Sequence, residues 1–380
     1  MRASGFIIFF SIVLLIWGSA NYYVYIRGMQ ALPDNNKLRL AYRIFFICVA
    51  CVYFLNRFIE RVWVSPLTSF MSWLGSFWLA AILYFVLILV VIDIARLFNN
   101  WFHYFPPFMT ANYAKTKLVT AMIVVEIVVL ILLGGFINAR YPRTKELTLQ
   151  IHKKAHGLKQ LKIVALSDIH FGTTLNNGRL AYMVNRVNNL KPDIVLLAGD
   201  IISEEITPIL KYDIGYPVRE IKAPLGVYAI TGNHEFIGGV ENACKYLEGL
   251  NIKVLRDSTI KINDQFYIIG RDDKSNRKRK TIADLIANLD MNLPAIMLDH
   301  QPFNLGDVAK NKIDLQISGH THAGQIWPFT HLINAMYEVP WGYKKINSTN
   351  FYVSSGYGTW GPPVRTGNRP ELVCITLQFD

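Results

Sequence analysis

Five short clusters of oxygen and nitrogen donors recur in the C-terminal part of this chain, each directly after an apolar run. They read Ser167-Asp168-Ile169-His170, Gly199-Asp200, Gly232-Asn233-His234-Glu235, Asp299-His300 and Gly319-His320-Thr321-His322. Aspartate, asparagine and histidine supply carboxylate, amide-oxygen and imidazole ligands. Such a mixed set suits Mn, Fe, Zn or Ni better than Ca or Mg. In Asp168-x-His170 and His320-x-His322 the two donors share one side of an extended strand end. Taken singly, each motif has a plainer explanation: Asp-x-His is common on surfaces, Gly-Asp is a common turn, and Asn-His-Glu can start a helix with Glu as its cap. Five of them behind five apolar runs argue for one metal-dependent site.

The elements that must position these donors are short. Runs at 163–166, 194–198, 227–230, 266–269, 295–298 and 315–317 read as buried strands, and 179–190, 239–250 and 281–289 carry helical periodicity. Alternating strands and helices make a layered α/β domain. In such sheets ligands bind at the carboxyl ends of the strands, where all five clusters fall.

Across its 380 residues the chain is 52% hydrophobic and only 17% charged, against ~25% charged in soluble domains. The deficit lies in the first 145 residues. Segments at about 6–26, 40–58, 73–92 and 119–139 each approach the ~20 apolar residues that cross a bilayer. Arg43 interrupts the second near one end, where it can snorkel. Tyr22, Tyr23, Trp63, Trp73 and Trp101 sit near the ends, as in an interfacial belt. The first segment alone reads equally as a signal peptide, and the three that follow favour a multi-pass anchor in the cell membrane. Asp93 and Glu126 fall in or beside spans and are expected to be helix-end carboxylates or to pair with Arg96 or Arg43. Residues 1–145 are therefore expected to be an all-α four-helix transmembrane region and 146–380 the α/β domain.

Charge divides the same way: 13 Lys and Arg face 4 Asp and Glu in residues 1–145, and 26 face 23 in the remainder. The basic balance belongs to the membrane flanks, so no nucleic-acid partner is expected. Eight basic residues flank the spans on the side of the α/β domain (Arg2, Arg57, Arg61, Arg140, Arg143, Lys145, Lys153, Lys154), and six or seven flank them opposite. The positive-inside rule then places this domain on the cytoplasmic side by a narrow margin.

Together, Asp168-x-His170, Gly199-Asp200, Gly232-Asn233-His234-Glu235, His300 and Gly319-His320-x-His322 resemble the calcineurin-like metallophosphoesterase signature over roughly residues 160–380. The tail Gly356-Tyr357-Gly358-Thr359-Trp360-Gly361-Pro362-Pro363-Val364-Arg365, followed by Arg369-Pro370-Glu371, resembles the membrane-associated branch of that family. That branch includes proteins similar to bacterial UDP-diacylglucosamine pyrophosphohydrolases. The resemblance implies a four-layer α/β sandwich and two divalent metal ions, with Mn favoured over Fe or Zn. It also implies a first metal on Asp168, His170 and His322, a bridging Asp200, and a second metal on Asn233, His300 and His320. Two cations ~3.5–4 Å apart clamp the attacking and leaving oxygens of an in-line displacement. His234 cannot readily share metal duty with adjacent Asn233, because neighbouring side chains diverge, and in the family the matching histidine serves as general acid. Glu235 is expected to orient His234. One departure is Ser203, which stands where many relatives carry an acid or Asn.

Arg365 and Arg369 are candidate substrate-binding residues, since guanidinium suits bidentate phosphate contact. The run Arg277-Lys278-Arg279-Lys280, with Arg271 and Lys274, reads as a solvated loop or an anionic-lipid contact. The expected activity is hydrolysis of a phosphodiester or pyrophosphate bond in a phosphorylated or pyrophosphate-containing lipid of the bilayer that anchors the chain. The rivals are a phosphatase or diesterase for a soluble nucleotide or phosphoprotein, and a catalytically silent membrane sensor or scaffold. A silent descendant usually loses a ligand, and none is missing here.

Overall fold

The computed structural model describes residues 3–204 and 206–380, with side chains from residue 8 onward except Phe9. The chain forms two compact units, one running to Gly135 and the other from Phe136. The first consists of α1 (Ala3–Ala31), α2 (Asn36–Val62), α3 (Pro66–Phe102), α4 (Pro107–Ala111) and most of α5 (Tyr113–Arg140). The Asn35 side chain caps α2 by accepting from Leu38 N at 3.1 Å. Ser65 and Thr68 form a capping box ahead of Pro66 at the start of α3.

Among the described residues, α2, α3 and α5 are long and apolar enough to cross a membrane. At 1.5 Å per residue even the shortest runs about 40 Å, more than the ~30 Å hydrocarbon core. The expected first span, 6–26, lies in α1, but several of its side chains, and Arg2, fall outside the described residues. Asp93 meets Arg96 at 3.1 Å, as expected, and accepts from Tyr23 Oη at 2.6 Å. Its second cation is Arg27 of α1 rather than Arg43. Glu126 is exposed on α5.

In the second unit, the chain continues through β1 (Arg143–Ile151), β2 (Gln160–Leu166), α6 (Asn177–Asn189), β3 (Ile194–Ala198), α7 (Ile206–Tyr212), β4 (Val227–Ile230), α8 (Asn233–Gly238), α9 (Val240–Glu248) and β5 (Lys253–Val254). It then forms β6 (Ser258–Ile262), β7 (Phe266–Gly270), α10 (Ile282–Ile286), β8 (Ala295–Leu298), α11 (Leu305–Lys310), β9 (Leu315–Ser318), α12 (Phe329–Met336), β10 (Gly342–Ile346), β11 (Thr349–Val353) and β12 (Glu371–Phe379). The compositional boundary at 145/146 falls inside β1.

Among the described residues the strands form two six-stranded sheets, ordered β1-β12-β2-β3-β4-β5 and β10-β11-β9-β8-β7-β6. Period-two alternation sorts each strand between two faces. Ile163 and Ala165 of β2 meet Ile268, Ile296 and Ile317 in a core between the sheets. Val164 and Leu166 point the other way, onto α6 and α9, and Met297 of β8 packs on α10 and α11. The result is four layers: helix, sheet, sheet, helix. Helix α6 buries Leu180, Met183, Val184 and Val187, an i, i+3, i+4, i+7 stripe facing the sheet.

Strands β2, β3 and β4 are mutually parallel, as are β7, β8, β9 and β11, so the ends carrying the five donor clusters emerge together from each sheet. The C-terminal β12 inserts between β1 and β2, antiparallel to β2.

Candidate metal centre

Asp200 Oδ2 is the hub of the site. His300 Nε2 lies 3.1 Å from it, and the Nε2 atoms of His170 and His234 each lie 3.9 Å away. Three overlapping clusters of potential metal ligands surround it: Asp168–His170–His322, His170–Asp200–His234 and Asp200–His300–His320. The β2 end supplies Asp168 and His170, the β3 end Asp200, the β4 end Asn233 and His234, the β8 end His300, and the β9 end His320 and His322. Asn233 joins through Oδ1, 2.8 Å from His320 Nδ1. All seven expected ligands and His234 are thus brought to one place.

The backbone is bent to achieve this. Asp168, His170, Asp200, His320 and His322 all adopt positive φ, a costly conformation for non-glycine residues that clusters at functional sites. Two glycines allow the carboxylates in: a Cβ on Gly319 would strike the Asp168 carboxylate, and one on Gly232 would strike that of Asp200.

The donors suit divalent metal ions. His170 Nε2 and His322 Nε2 stand 3.1 Å apart, facing one another. Burial lowers His170 to about 3, and burial, with His170 and Arg365 nearby, holds His322 well below the ordinary range. Both rings are therefore neutral with nitrogens aimed at one point. His300 gives its Nδ1 to the Ala198 carbonyl at 2.8 Å, which turns its buried Nε2 toward Asp200 Oδ2. Burial raises Asp168 to about 6. For Asp200, burial opposes ionisation, but His300 above all, with His234, holds the carboxylate well below its usual range. Convergent carboxylates and imidazole nitrogens in a buried setting are the donor set of a candidate cation site.

His234 has an unforeseen partner. Glu204, half-buried, places Oε1 3.0 Å from His234 Nδ1. Burial opposes charging of His234, but Glu204 and Asp200 raise it above its ordinary value. The carboxylate missing at Ser203 is supplied one residue later, while Ser203 Oγ donates to the His170 carbonyl at 3.0 Å.

Glu235 does not orient His234, contrary to expectation. Its Oε1 accepts from Ile201 N and Ile202 N at 2.7 and 2.8 Å, and its Oε2 from Asp200 N and Gly232 N at 3.0 and 2.7 Å. It clamps the turn that carries Asp200. The Gly232 bond is the helix-cap contact that Asn-His-Glu permits.

Arg365 departs from the substrate-binding expectation. Arg365 is fully buried. Its guanidinium donates to the carbonyls of Gly358 (2.7 and 3.0 Å) and Gly356 (3.2 Å) and to Asn368, with Nη2 3.3 Å from His322 Nδ1. Asn368 in turn donates to the His322 carbonyl at 2.7 Å. These two residues brace His322 from behind, and Arg365, fully buried, is committed to these internal contacts. Arg369 is exposed, with Nε on the Tyr141 carbonyl at 2.7 Å. In the basic run, Arg271 and Arg279 turn inward onto Asp299 at 2.8 and 2.7 Å, whereas Lys274, Arg277, Lys278 and Lys280 are exposed and match the solvated-loop reading. Lys274 is exposed and lies over the Phe303 ring.

Fold and site together define a metal-dependent phosphoester hydrolase. The calcineurin-like phosphoesterase family matches residues 161–324, and the chain belongs to that family. It is 34% identical over 259 residues to a metallophosphoesterase of Helicobacter pylori, across 65% of this chain and 68% of that protein. It is 31% identical to a cattle transmembrane protein with a metallophosphoesterase domain, across 70% of this chain and 63% of that one. A Campylobacter jejuni metallophosphoesterase is 28% identical across 98% of this chain and 99% of its own length, so that similarity runs through the helical region as well.

Proposed function

We propose that this chain is a membrane-anchored phosphoesterase with a dinuclear centre, which hydrolyses a phosphodiester or pyrophosphate bond in a lipid-linked substrate. The observation that carries the reading is the convergence of His170, His234 and His300 on Asp200 Oδ2 within 3.9 Å. Asp168, His170 and His322 would hold one cation, Asn233, His300 and His320 would hold the other, and Asp200 would serve both. Mn is favoured over Fe or Zn. Such a pair supplies Lewis-acid polarisation of the phosphoryl oxygens and neutralises their charge.

The protein's own part is proton placement and positioning. Glu204 holds a proton on His234 Nδ1, so the imidazolium carries its second proton on Nε2, the atom on the Asp200 side. That proton passes to the leaving oxygen, a contribution of about 10²–10⁴-fold. Glu235 fixes the Asp200 turn, and Arg365 with Asn368 fixes His322. The lipid assignment draws on the anchor: apolar helices long enough to span precede the domain, and Asn138 in the last turn of α5 donates to the carbonyls of Arg365 and Asn368 at 2.8 and 2.7 Å. We take the end of α5 as the point where the chain leaves the membrane, on the cytoplasmic side that the basic flanks favour.

The test is hydrolysis of a lipid panel by the detergent-purified chain, with Mn²⁺ and with chelator, products being read by mass spectrometry. The panel holds UDP-diacylglucosamine, common phospholipids and a polyprenyl pyrophosphate, and His234→Ala is the control. Metal-dependent cleavage of one lipid, absent in the control, is expected. Cleavage of a soluble diester alone refutes the lipid assignment, and retained activity in both His234→Ala and Asp200→Asn refutes the site.

A further inference from the structure

Helix α12 places Phe329, Leu332, Ile333 and Met336 at i, i+3, i+4 and i+7, the stripe of a helix that packs against a core. Yet none of its residues is buried, and Phe329, Leu332 and Met336 are 48%, 54% and 59% exposed. Trp360, 51% exposed, stands edge-on to His234 with ring centroids 6.3 Å apart, at the mouth of the site. Single exposed apolar residues are ordinary, but a continuous apolar helix face marks an interaction surface.

The attachment of α12 indicates what that surface meets. Trp327 N, just ahead of the helix, donates to Thr366 Oγ1 at 3.1 Å, and Gly367 lies so close to Thr330 that a Cβ there would collide with it. This same 365–368 loop receives the two hydrogen bonds from Asn138 of α5. The apolar face therefore hangs from the segment bonded to the end of a candidate span. Arg140 and exposed Arg369 lie beside that junction, and cations at such a position suit anionic headgroups.

We propose that the Phe329–Leu332–Met336 face, with Trp360, docks into the leaflet that α5 leaves. The helix lies in the interface with its apolar side sunk ~5–10 Å into the headgroup and acyl boundary. The mouth at His234 then opens onto the membrane surface, and a lipid phosphate reaches it without leaving the leaflet. This consequence for the substrate rests on the phosphoesterase reading, whereas the docking itself does not.

The test uses the full chain in proteoliposomes of phosphatidylcholine and phosphatidylglycerol, with C48S and C51S to remove the exposed thiols. A nitroxide is attached through Leu332→Cys and, as an aqueous control, through Asp264→Cys on the exposed β6–β7 turn. The label at 332 is expected to be at least tenfold less accessible to a water-soluble nickel relaxant than the label at 264, and readily accessible to oxygen. Equal accessibility at the two positions overturns the docking, and spin–spin broadening at 332 overturns it in favour of a second copy of this chain. In parallel, Leu332→Glu with Met336→Glu should slow hydrolysis of p-nitrophenyl hexadecyl phosphate carried in the same vesicles at least tenfold. Hydrolysis of soluble bis-p-nitrophenyl phosphate should stay within twofold. Loss of both rates makes α12 part of the folded core and overturns the docking. A membrane-buried label on a chain inert to every diester supports the docking and overturns the phosphoesterase reading alone.

Discussion

Glu235→Gln separates two accounts of one carboxylate. If Glu235 clamps the Asp200 turn, its two oxygens serve four buried N–H groups, two each. Glutamine keeps one acceptor oxygen and turns an amide NH₂ toward the other two donors, so two buried N–H groups lose their partner. At about 1–3 kcal/mol for each unsatisfied donor, the loss is about 2–6 kcal/mol, a large share of the ~5–15 kcal/mol that holds a protein folded. For a unit of this size, Tm should fall by at least about 4 °C. Metal content should fall too, because the Asp200 backbone is no longer held. The assay is thermal unfolding of the detergent-purified chain, paired with metal analysis and kcat/KM on a soluble diester. A variant with unchanged Tm and full metal content but depressed kcat would refute the clamp and restore Glu235 as a partner of His234.

Glu204→Gln should lower kcat about 10–100-fold, the usual effect of removing a residue that orients a reacting group, while metal content stays at the wild-type value. A matching loss of metal would show that Glu204 acts on the ligands instead. Arg365→Lys keeps a charge but loses the planar fork, so His322 loosens and Mn affinity should fall about 10–100-fold. Unchanged affinity with a raised KM would return Arg365 to substrate binding. At Asp272, burial opposes ionisation, but Arg256, Thr231 and Asn276 hold the carboxyl below its usual range. Its contribution to stability is therefore complete above the ordinary value near ~3.9 and is lost as pH falls through the lowered folded value. Asp272→Asn should lower Tm at pH 7 and flatten the acid limb of the Tm–pH curve below about pH 4, and an unaltered acid limb would refute the assignment.

Much of the site was legible because metal ligation is local in chain terms. Asp168 and His170 share one strand end and His320 and His322 another, so residue type, spacing and an apolar run in front suffice to mark them. The strands that read clearly are those buried on both faces, such as β3, where Ile194 to Ala198 is continuously apolar. Strands β1, β6 and β10 escaped notice because they carry polar or charged residues, with partly exposed burial patterns on sheet edges. Strand β12 lies in the tail, and its place between β1 and β2 depends on pairings more than 200 residues away.

The sequence by itself determined the donor chemistry, the α/β layering and the presence of apolar segments long enough to span a bilayer, because each follows from composition and short-range periodicity. Only the tertiary structure decided what the second rank of charged residues does. Arg365 looked like a surface guanidinium in a Gly/Pro-rich tail, and becomes a fully buried brace because the loop at 356–358 folds its carbonyls around it. The partner of His234 is Glu204 and not Glu235, because adjacent side chains diverge while a turn 30 residues earlier in the chain returns beside them. Such assignments depend on which buried donor meets which acceptor, a matter of three-dimensional closure that no spacing along the chain encodes.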